Sequence, residues 1–438
     1  VGGPRRPAGR PCHRAPGERT VTIASVESLS FGLIRTAEAA RAAGHRLALL
    51  TGHREVYRHE LATMPPGLLD VIDVDTTDTC AVRRVLNRLP RLAGIVNTTD
   101  TWGTSVATLA AEFVLPGPDP DAVRLLRDKA RVREALHRAG VSARTAVVVD
   151  PRSPEEAAER ITASIGLPAV LKDSAGTSSR GVWIVRTPEA LRPALNEAAR
   201  ATLKGRLLAE PFLSGPLYSA ETLSWQGETR LLGVASRLTS RSPAVREEGA
   251  AFPVALPPAD RDGLEQWVRR VLAAAGHDQG FAHVEFVLTA EGPELVEINR
   301  RIGGALIGEA LCRALRVNVY EALVDITLGR RPALLDAPRP PADLRGPAVA
   351  FVLVYADEPG LLLDWSGLDG LDAFPGTVEW YPVRVPGDPV PAVTDQRGCT
   401  GMILAEAPTA ELAGHRAWAA ATTVQAVMAP AEGLVPVR

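Results

Sequence analysis

Lysine is almost missing from this chain. Lys129, Lys172 and Lys204 are the only three among 49 basic residues, and arginine carries the rest. Each lysine therefore invites a reason, because a compact ammonium on a flexible stem reaches a phosphate where a planar fork does not fit. Lys204, in Leu203-Lys-Gly-Arg206, reads as a surface residue. Other scarcities exclude whole classes. Cys12, Cys80, Cys312 and Cys399 are far apart and form no Cys-x-x-Cys pair. That argues against a zinc site or a disulfide framework and fits a cytoplasmic, reducing setting. No apolar run approaches the roughly twenty residues of a membrane span. A net charge of −2 offers no basic surface for nucleic acid or anionic membrane. There is no Gly-x-Gly-x-x-Gly turn, no Walker A loop, no recognisable Ser/His/Asp or Cys/His arrangement, and no internal repeat.

What remains is an ordinary globular composition, 46% hydrophobic and 23% charged, in a chain long enough for roughly two to four packed units. Residues 1–19, rich in Arg, Pro and Gly, are expected to be a disordered tail and not a signal peptide. Strands near Thr20–Ser25, Arg46–Leu50, Val71–Val74 and Gly94–Asn97, with helices over Phe31–Ala43 and Val82–Leu89, predict a doubly wound α/β domain over 20–118. Thr98, Thr99 and Asp100 follow a strand end, where such folds often place ligand contacts, and fit an ordinary polar turn equally well. Leu115-Pro-Gly-Pro-Asp-Pro120 marks a boundary. One helix is expected from Asp121 to Ala139, within a unit over 119–206. A larger unit spans 207–336 and a Pro-rich linker 337–345. A separate α+β module over 346–438 is expected to have strands near Ala348–Tyr355, Val378–Pro382 and Gly401–Ala405, with a helix over Thr409–Met428.

The most informative pair is Glu285 and Glu297. They lie in two alternating stretches, Phe281–Leu288 and Glu294–Asn299, that predict an antiparallel hairpin centred on Glu291. Period-two alternation then puts Glu285, Glu297 and Asn299 on one face and Val284, Phe286, Val296 and Ile298 on the core face. Opposed carboxylates repel unless a cation lies between them, and oxygen donors of this kind suit Mg²⁺ shared with phosphates. The pair alone fits a solvated polar face equally well. Arg300-Arg-Ile-Gly-Gly304, immediately after it, adds cationic and glycine groups suited to phosphate.

A second phosphate candidate is Lys172, which closes the strand Ala169-Val-Leu-Lys172. The small, hydroxylated loop Asp173-Ser-Ala-Gly-Thr-Ser-Ser-Arg-Gly181 follows it. Its amides and hydroxyls can approach phosphate closely, and its composition suits a lid.

These motifs, in this order, resemble the ATP-grasp superfamily and, within it, the carboxylate–amine ligases that include L-amino acid ligases. The resemblance runs from about Thr20 to Met428. Asp128-Lys-Ala-Arg-Val-Arg-Glu-Ala-Leu136 is similar to the first phosphate-lysine helix, and Leu167–Lys172 with Ser178-Ser-Arg-Gly-Val182 to the second lysine and its lid. Glu210-Pro-Phe-Leu-Ser-Gly215 is similar to the adenine-reading hinge. His283-Val-Glu-Phe286 and Glu297-Ile-Asn-Arg-Arg301 are similar to the metal motifs.

The resemblance implies an ATP-grasp fold: an N-terminal doubly wound α/β domain, a lid subdomain, a large C subdomain and an appended C-terminal α+β module. It implies ATP binding by Lys129, Lys172, Ser178, Ser179, Gly181, Glu210, Pro211, Phe212 and Leu213. Mg²⁺, two ions with Mn²⁺ as a substitute, would be held by Glu285, Glu297 and Asn299. Lys172 and Arg301 would be catalytic, and Glu247, Arg301, Gly303 and Gly304 would contact substrate. The implied reaction activates a carboxylate as an acyl phosphate and couples it to an amine, most simply joining amino acids or peptides in secondary metabolism. The chain would act on small molecules, without nucleic acid or membrane, as a homodimer. Other chemistry on this fold, carboxylation or a purine-type ligation, and a non-catalytic ATP-binding module stay open. Three departures matter. Leu217 stands where a second hinge Glu usually meets the ribose, and Glu221 on the same strand face is expected to compensate. Asp173 and Arg300 replace prolines. Ala250 replaces the His of a Glu-x-Gly-His-x-x-Pro loop, here Glu247–Pro253, which puts substrate identity in doubt.

Overall fold

The computed structural model describes residues 20–241, 246–338 and 347–430. The expected tail at 1–19 and most of the linker at 337–345 lie outside them. The chain opens with β1 (Thr22–Val26), α1 (Leu33–Ala42), β2 (Arg46–Thr51), α2 (Arg58–Thr63), β3 (Leu69–Asp73), α3 (Thr79–Leu86), β4 (Leu92–Val96) and α4 (Gly103–Glu112). The four strands pair in parallel in the order β3-β2-β1-β4. β1 is buried along its whole length, as a parallel strand covered by helices on both faces must be.

The single helix expected from Asp121 is two, α5 (Pro120–Arg127) and α6 (Lys129–Arg138). Asp128 separates them: its backbone is extended and its carboxylate accepts from the amides of Ala130 and Arg131. A short polar side chain that bonds the backbone locally stops one helix and caps the next. The break puts Lys129 at the first position of α6.

β5 (Val147–Val149), α7 (Pro154–Ser164), β6 (Ala169–Asp173), β7 (Val182–Val185), α8 (Pro188–Arg200) and β8 (Leu207–Pro211) build an antiparallel lid sheet in the order β5-β8-β6-β7. Ile161, Leu171 and Leu195 centre its core. Because β8 pairs with both β5 and β6, the change of subdomain falls after Pro211, not before Leu207.

The large subdomain holds β9 (Leu217–Trp225), β10 (Glu228–Thr239), β11 (Glu247–Phe252), α9 (Pro258–Ala274), β12 (Gly280–Thr289), β13 (Gly292–Asn299), α10 (Ile307–Leu315) and α11 (Tyr320–Thr327). Then come β14 (Ala348–Tyr355), β15 (Gly360–Ser366), β16 (Val378–Pro382), β17 (Pro389–Val390), β18 (Cys399–Ala407), α12 (Ala410–Ala421) and β19 (Gln425–Pro430). The C-terminal module shares a sheet with the large subdomain. β14 pairs with β11, so one sheet runs β13-β12-β9-β10-β11-β14-β18-β16. Its core joins Phe252, Leu311, Phe351 and Leu404. The long C-terminal helix expected to reach Met428 ends at Ala421, and β19 pairs with β15 in a small second sheet. The β-branched run Thr422-Thr-Val424 favours that change. Among the described residues no helix is long and apolar enough to cross a membrane.

Candidate active site

The glutamate hairpin exists, and a bulge sets its register. From the turn, Thr289 pairs with Gly292 and Phe286 with Leu295; the register then shifts, so that Glu285 faces Glu297 and His283 faces Asn299. The expected core face needs one correction. Val284, Phe286 and Ile298 are buried in the core, but the fourth member is Leu295, not Val296. The extra residue in β13 turns Val296 towards the cleft.

Glu285, Glu297 and Asn299 face a cleft of about 660 Å³. Its walls come from the lid, the large subdomain, the β4–α4 loop and the C-terminal strands. Lys129 and Lys172 both enter it. Lys129 Nζ is 3.1 Å from Glu297 and donates to the Gly176 carbonyl at 2.8 Å. Lys172 Nζ is 2.5 Å from Glu210 and donates to the Val296 carbonyl at 3.2 Å. Burial pushes the Lys172 ammonium down, against the pull of Glu210. Burial likewise opposes ionisation of Glu210, but Arg133 and Lys172 hold it at about 2. Glu210 is thus committed to the two cations, while Pro211, Phe212 and Leu213 line the cleft beside it.

The lid loop supplies Thr177, Ser178, Ser179 and Arg180 to the wall. Ser178 and Ser179 adopt left-handed backbone conformations, which non-glycine residues hold only where the surroundings impose them. Gly181 is not in the wall; it turns the loop and accepts from the Asp173 amide. Asp173 braces the loop from beneath, accepting from the amides of Ala175, Lys204 and Gly205.

At the other end of the cleft, Arg237 Nη2 is 3.0 Å from Glu247 and Nη1 is 3.4 Å from Glu285 and 2.6 Å from His283 Nε2. His283 Nδ1 lies 2.7 Å from Glu221. Burial alone would lower the imidazole, but Glu221 and Glu285 raise it to about 9. Burial opposes ionisation of Glu285 as well, and Arg237 with His283 holds it well below the usual carboxylate range. The expected ribose contact at Glu221 is corrected: it is 2% exposed, bonded to His283 and Ser219, and outside the cleft wall, whereas Leu217 is in it. Gly303 is corrected too. A Cβ there would meet His283 Nδ1 at 2.8 Å, so it is a packing glycine, while Gly304 lines the cleft.

Arg301 reaches the cleft and is tied to Asp100 at 2.5 Å. Arg300 points elsewhere, donating to the Gln279 carbonyl at 2.6 Å.

A family model described as the ATP-grasp domain matches residues 165–309, and one described as L-amino acid ligase C-terminal domain 2 matches residues 352–429, together about half of the chain. Residues 165–309 are an ATP-grasp domain. By its two matched domains, the chain is an enzyme of the carboxylate–amine ligase type. The ATP-grasp chain is 28% identical over 354 residues to the Sinorhizobium fredii protein y4rH, covering 78% of this chain and 70% of that one. It is 27% identical over 274 residues to human carnosine synthase 1, covering 58% of this chain but only 33% of that longer protein. The L-amino acid ligase from Bacillus licheniformis has the same fold, with a TM-score of 0.76 at 18% identity over 94% of this chain and all of that one.

ATP-grasp enzymes bind ATP with Mg²⁺, and the residues present fit that metal. Among the described residues no cluster of three His, Cys, Asp or Glu surrounds one point. Two carboxylates and one amide instead line the cleft, a donor set that leaves positions for phosphate oxygens and water, as Mg²⁺ prefers. Thr99 and Asp100, weighed in the sequence as ligand contacts at a strand end, line the cleft. Arg237 and the cleft-facing Leu353, Val383, Gln396 and Met402 were missed in the sequence. Arg237 carried none, since nothing near it in the chain marks it.

Proposed function

We propose that this ATP-grasp enzyme converts a carboxylate into an acyl phosphate and joins it to the amine of a second small molecule, forming a dipeptide or peptide-like bond. One observation carries this reading. Both lysines, the two facing glutamates with Asn299, and Arg301 line a single cleft, which is continued at one end by the buried Arg237–Glu247 pair.

A carboxylate is a poor electrophile. Attack of its oxygen on the γ-phosphorus of ATP expels ADP; attack of the amine nitrogen on the acyl carbon then expels phosphate, and the nitrogen gives up its proton. Lys129 and Lys172 would hold the phosphates, with the hinge residues Pro211 to Leu213 against the base and the lid serines closing over the chain. Glu285, Glu297 and Asn299 would hold Mg²⁺, two ions in this reading. Bound there, it supplies neutralisation of charge during phosphoryl transfer. Lys129 and Lys172 each sit against a carboxylate in the present structure, so the triphosphate would exchange one anionic partner for another at little electrostatic cost. Arg301 would face the acyl carbonyl, donating to its oxygen as negative charge grows. Glu247 and Gly304 would bound the substrate's polar end. The L-amino acid ligase C-terminal domain and the similarity to carnosine synthase support amino acids as substrates.

The test is ADP release across pairs of amino acids with Mg²⁺. ADP and phosphate should form only when a carboxylate donor and an amine acceptor are both present. Formation of AMP and pyrophosphate would replace the acyl-phosphate route with adenylation. Glu297→Gln should keep much of the nucleotide affinity and lose turnover by orders of magnitude, because metal placement matters most in the transition state.

A further inference from the structure

Behind the strand that carries Glu297 and Asn299 lies a second, smaller cavity of about 80 Å³, between the N-terminal domain and the large subdomain. Its walls are largely apolar, with Val106, Ala107, Phe281 and Leu323 among them. Three guanidinium groups nevertheless reach it: Arg127, Arg300 and Arg301. Arg301 is neutralised by Asp100. Among the described residues Arg300 is held only by the Gln279 carbonyl at 2.6 Å, and Arg127 only by the Ala175 carbonyl at 3.4 Å. Neither is ion-paired with a carboxylate of the described residues, and Asp278 acts on Arg300 only at longer range.

A guanidinium has five donors, and one carbonyl satisfies few of them. Of the acceptors in the wall, Asp100 is taken by Arg301 and the Gln279 carbonyl by Arg300, so two partly buried cations share a small cavity with donors to spare. Buried charge left without a partner is costly, and a carboxylate or similar oxyanion relieves it best, because its two oxygens match the guanidinium fork. We propose that this cavity binds a small aliphatic monocarboxylate. Its oxygens take the spare donors of Arg300 and Arg127, and its short tail lies against Val106 and Phe281. The volume has room for only a few heavy atoms, and the apolar wall favours an alkyl tail over the fully hydrated oxygens of phosphate. The site is distinct from the nucleotide cleft, although Thr99, Asp100 and Arg301 belong to the walls of both.

Isothermal titration of the full chain with sodium propionate, and separately with inorganic phosphate at matched ionic strength, tests this. Arg300→Met removes one cation, and Ala107→Leu fills the cavity without touching either guanidinium. Arg127→Met serves as the second probe should Ala107→Leu fail to fold. One propionate should bind per chain, weakened at least about tenfold in each variant, with no saturable phosphate heat. Three results overturn the proposal: no saturable propionate binding, affinity unchanged in the variants, or phosphate bound in preference.

Discussion

Arg300 and Arg301 are neighbours in the chain, and both line the smaller cavity behind β13. Only Arg301 also reaches the larger cleft, where Asp100 holds its guanidinium in place. Arg301→Ala should therefore lower kcat by about 10²–10³, the order found for loss of one oxyanion donor, with ATP affinity nearly unchanged. Arg300→Ala should leave kcat within a few-fold of the parent. Steady-state kinetics of both variants decide it, and equal losses would mean that the role belongs to neither arginine. His277, buried at the end of α9, allows a prediction about pH. Burial, with Arg300 nearby, pushes its imidazole down to about 3. The fold therefore holds it neutral, while the unfolded chain protonates it near 6.5. Its contribution to stability is complete above that value and drains away as pH falls towards 3. At pH 5 the loss amounts to about 2 kcal/mol. Unfolding curves of wild type and His277→Asn should converge by that amount between pH 7 and pH 5; parallel curves would show that His277 is not held neutral.

At the scale of elements, the break at Asp128 decides where the first lysine goes. A continuous helix would satisfy the same apolar periodicity, but the Asp128 carboxylate accepts from two amides of the next helix and lies 3.2 Å from Arg206. α6 then packs through Val132 and Leu136 on the core beneath the glutamate hairpin, and Lys129 meets Glu297. Asp128→Ala should cost about 1 kcal/mol of stability, the usual worth of an N-cap, and raise the KM for ATP more than it lowers kcat. Thermal melts and an ATP titration measure both. A stability loss without any change in KM would separate the cap from the position of Lys129. The bulge in β13 works at the same scale: continuing the register from the turn would set Glu285 against Val296, and the two carboxylates would not face each other.

For the whole molecule, the joined sheet is the main consequence. β14 closes the edge of β11, and Val349, Phe351, Leu353, Met402 and Leu404 enter the core shared with the N-terminal domain. Arg313 on α10 adds ion pairs to Glu379 and Glu406, both at 2.6 Å. Five such side chains at about 2 kcal/mol each make about 10 kcal/mol of burial, as much as an entire domain's stability. A chain ended at residue 346 should therefore show no cooperative melting and should aggregate through the exposed edge of β11. Cooperative melting with ATP binding retained would show that the C-terminal strands only decorate an independent fold. Their side chains also line the cleft, so the substrate's surroundings are built by both halves of this sheet.

The sequence by itself determined most local elements, the parallel N-terminal sheet, the two cleft lysines and the glutamate pair. These rest on periodicity, on turn residues and on rare residue types, all of which act within a few positions of one another. Tertiary structure alone decided the rest. Arg237 meets Glu247 and His283 because separate strands pair side by side. Glu221 looks inward because a buried imidazole needs its charge. Arg301 finds Asp100 across two domains, and the C-terminal strands join the sheet at an edge that would otherwise be bare. Each is a contact between residues distant in the chain, chosen by desolvation and charge pairing, and neither leaves a periodic mark on the sequence.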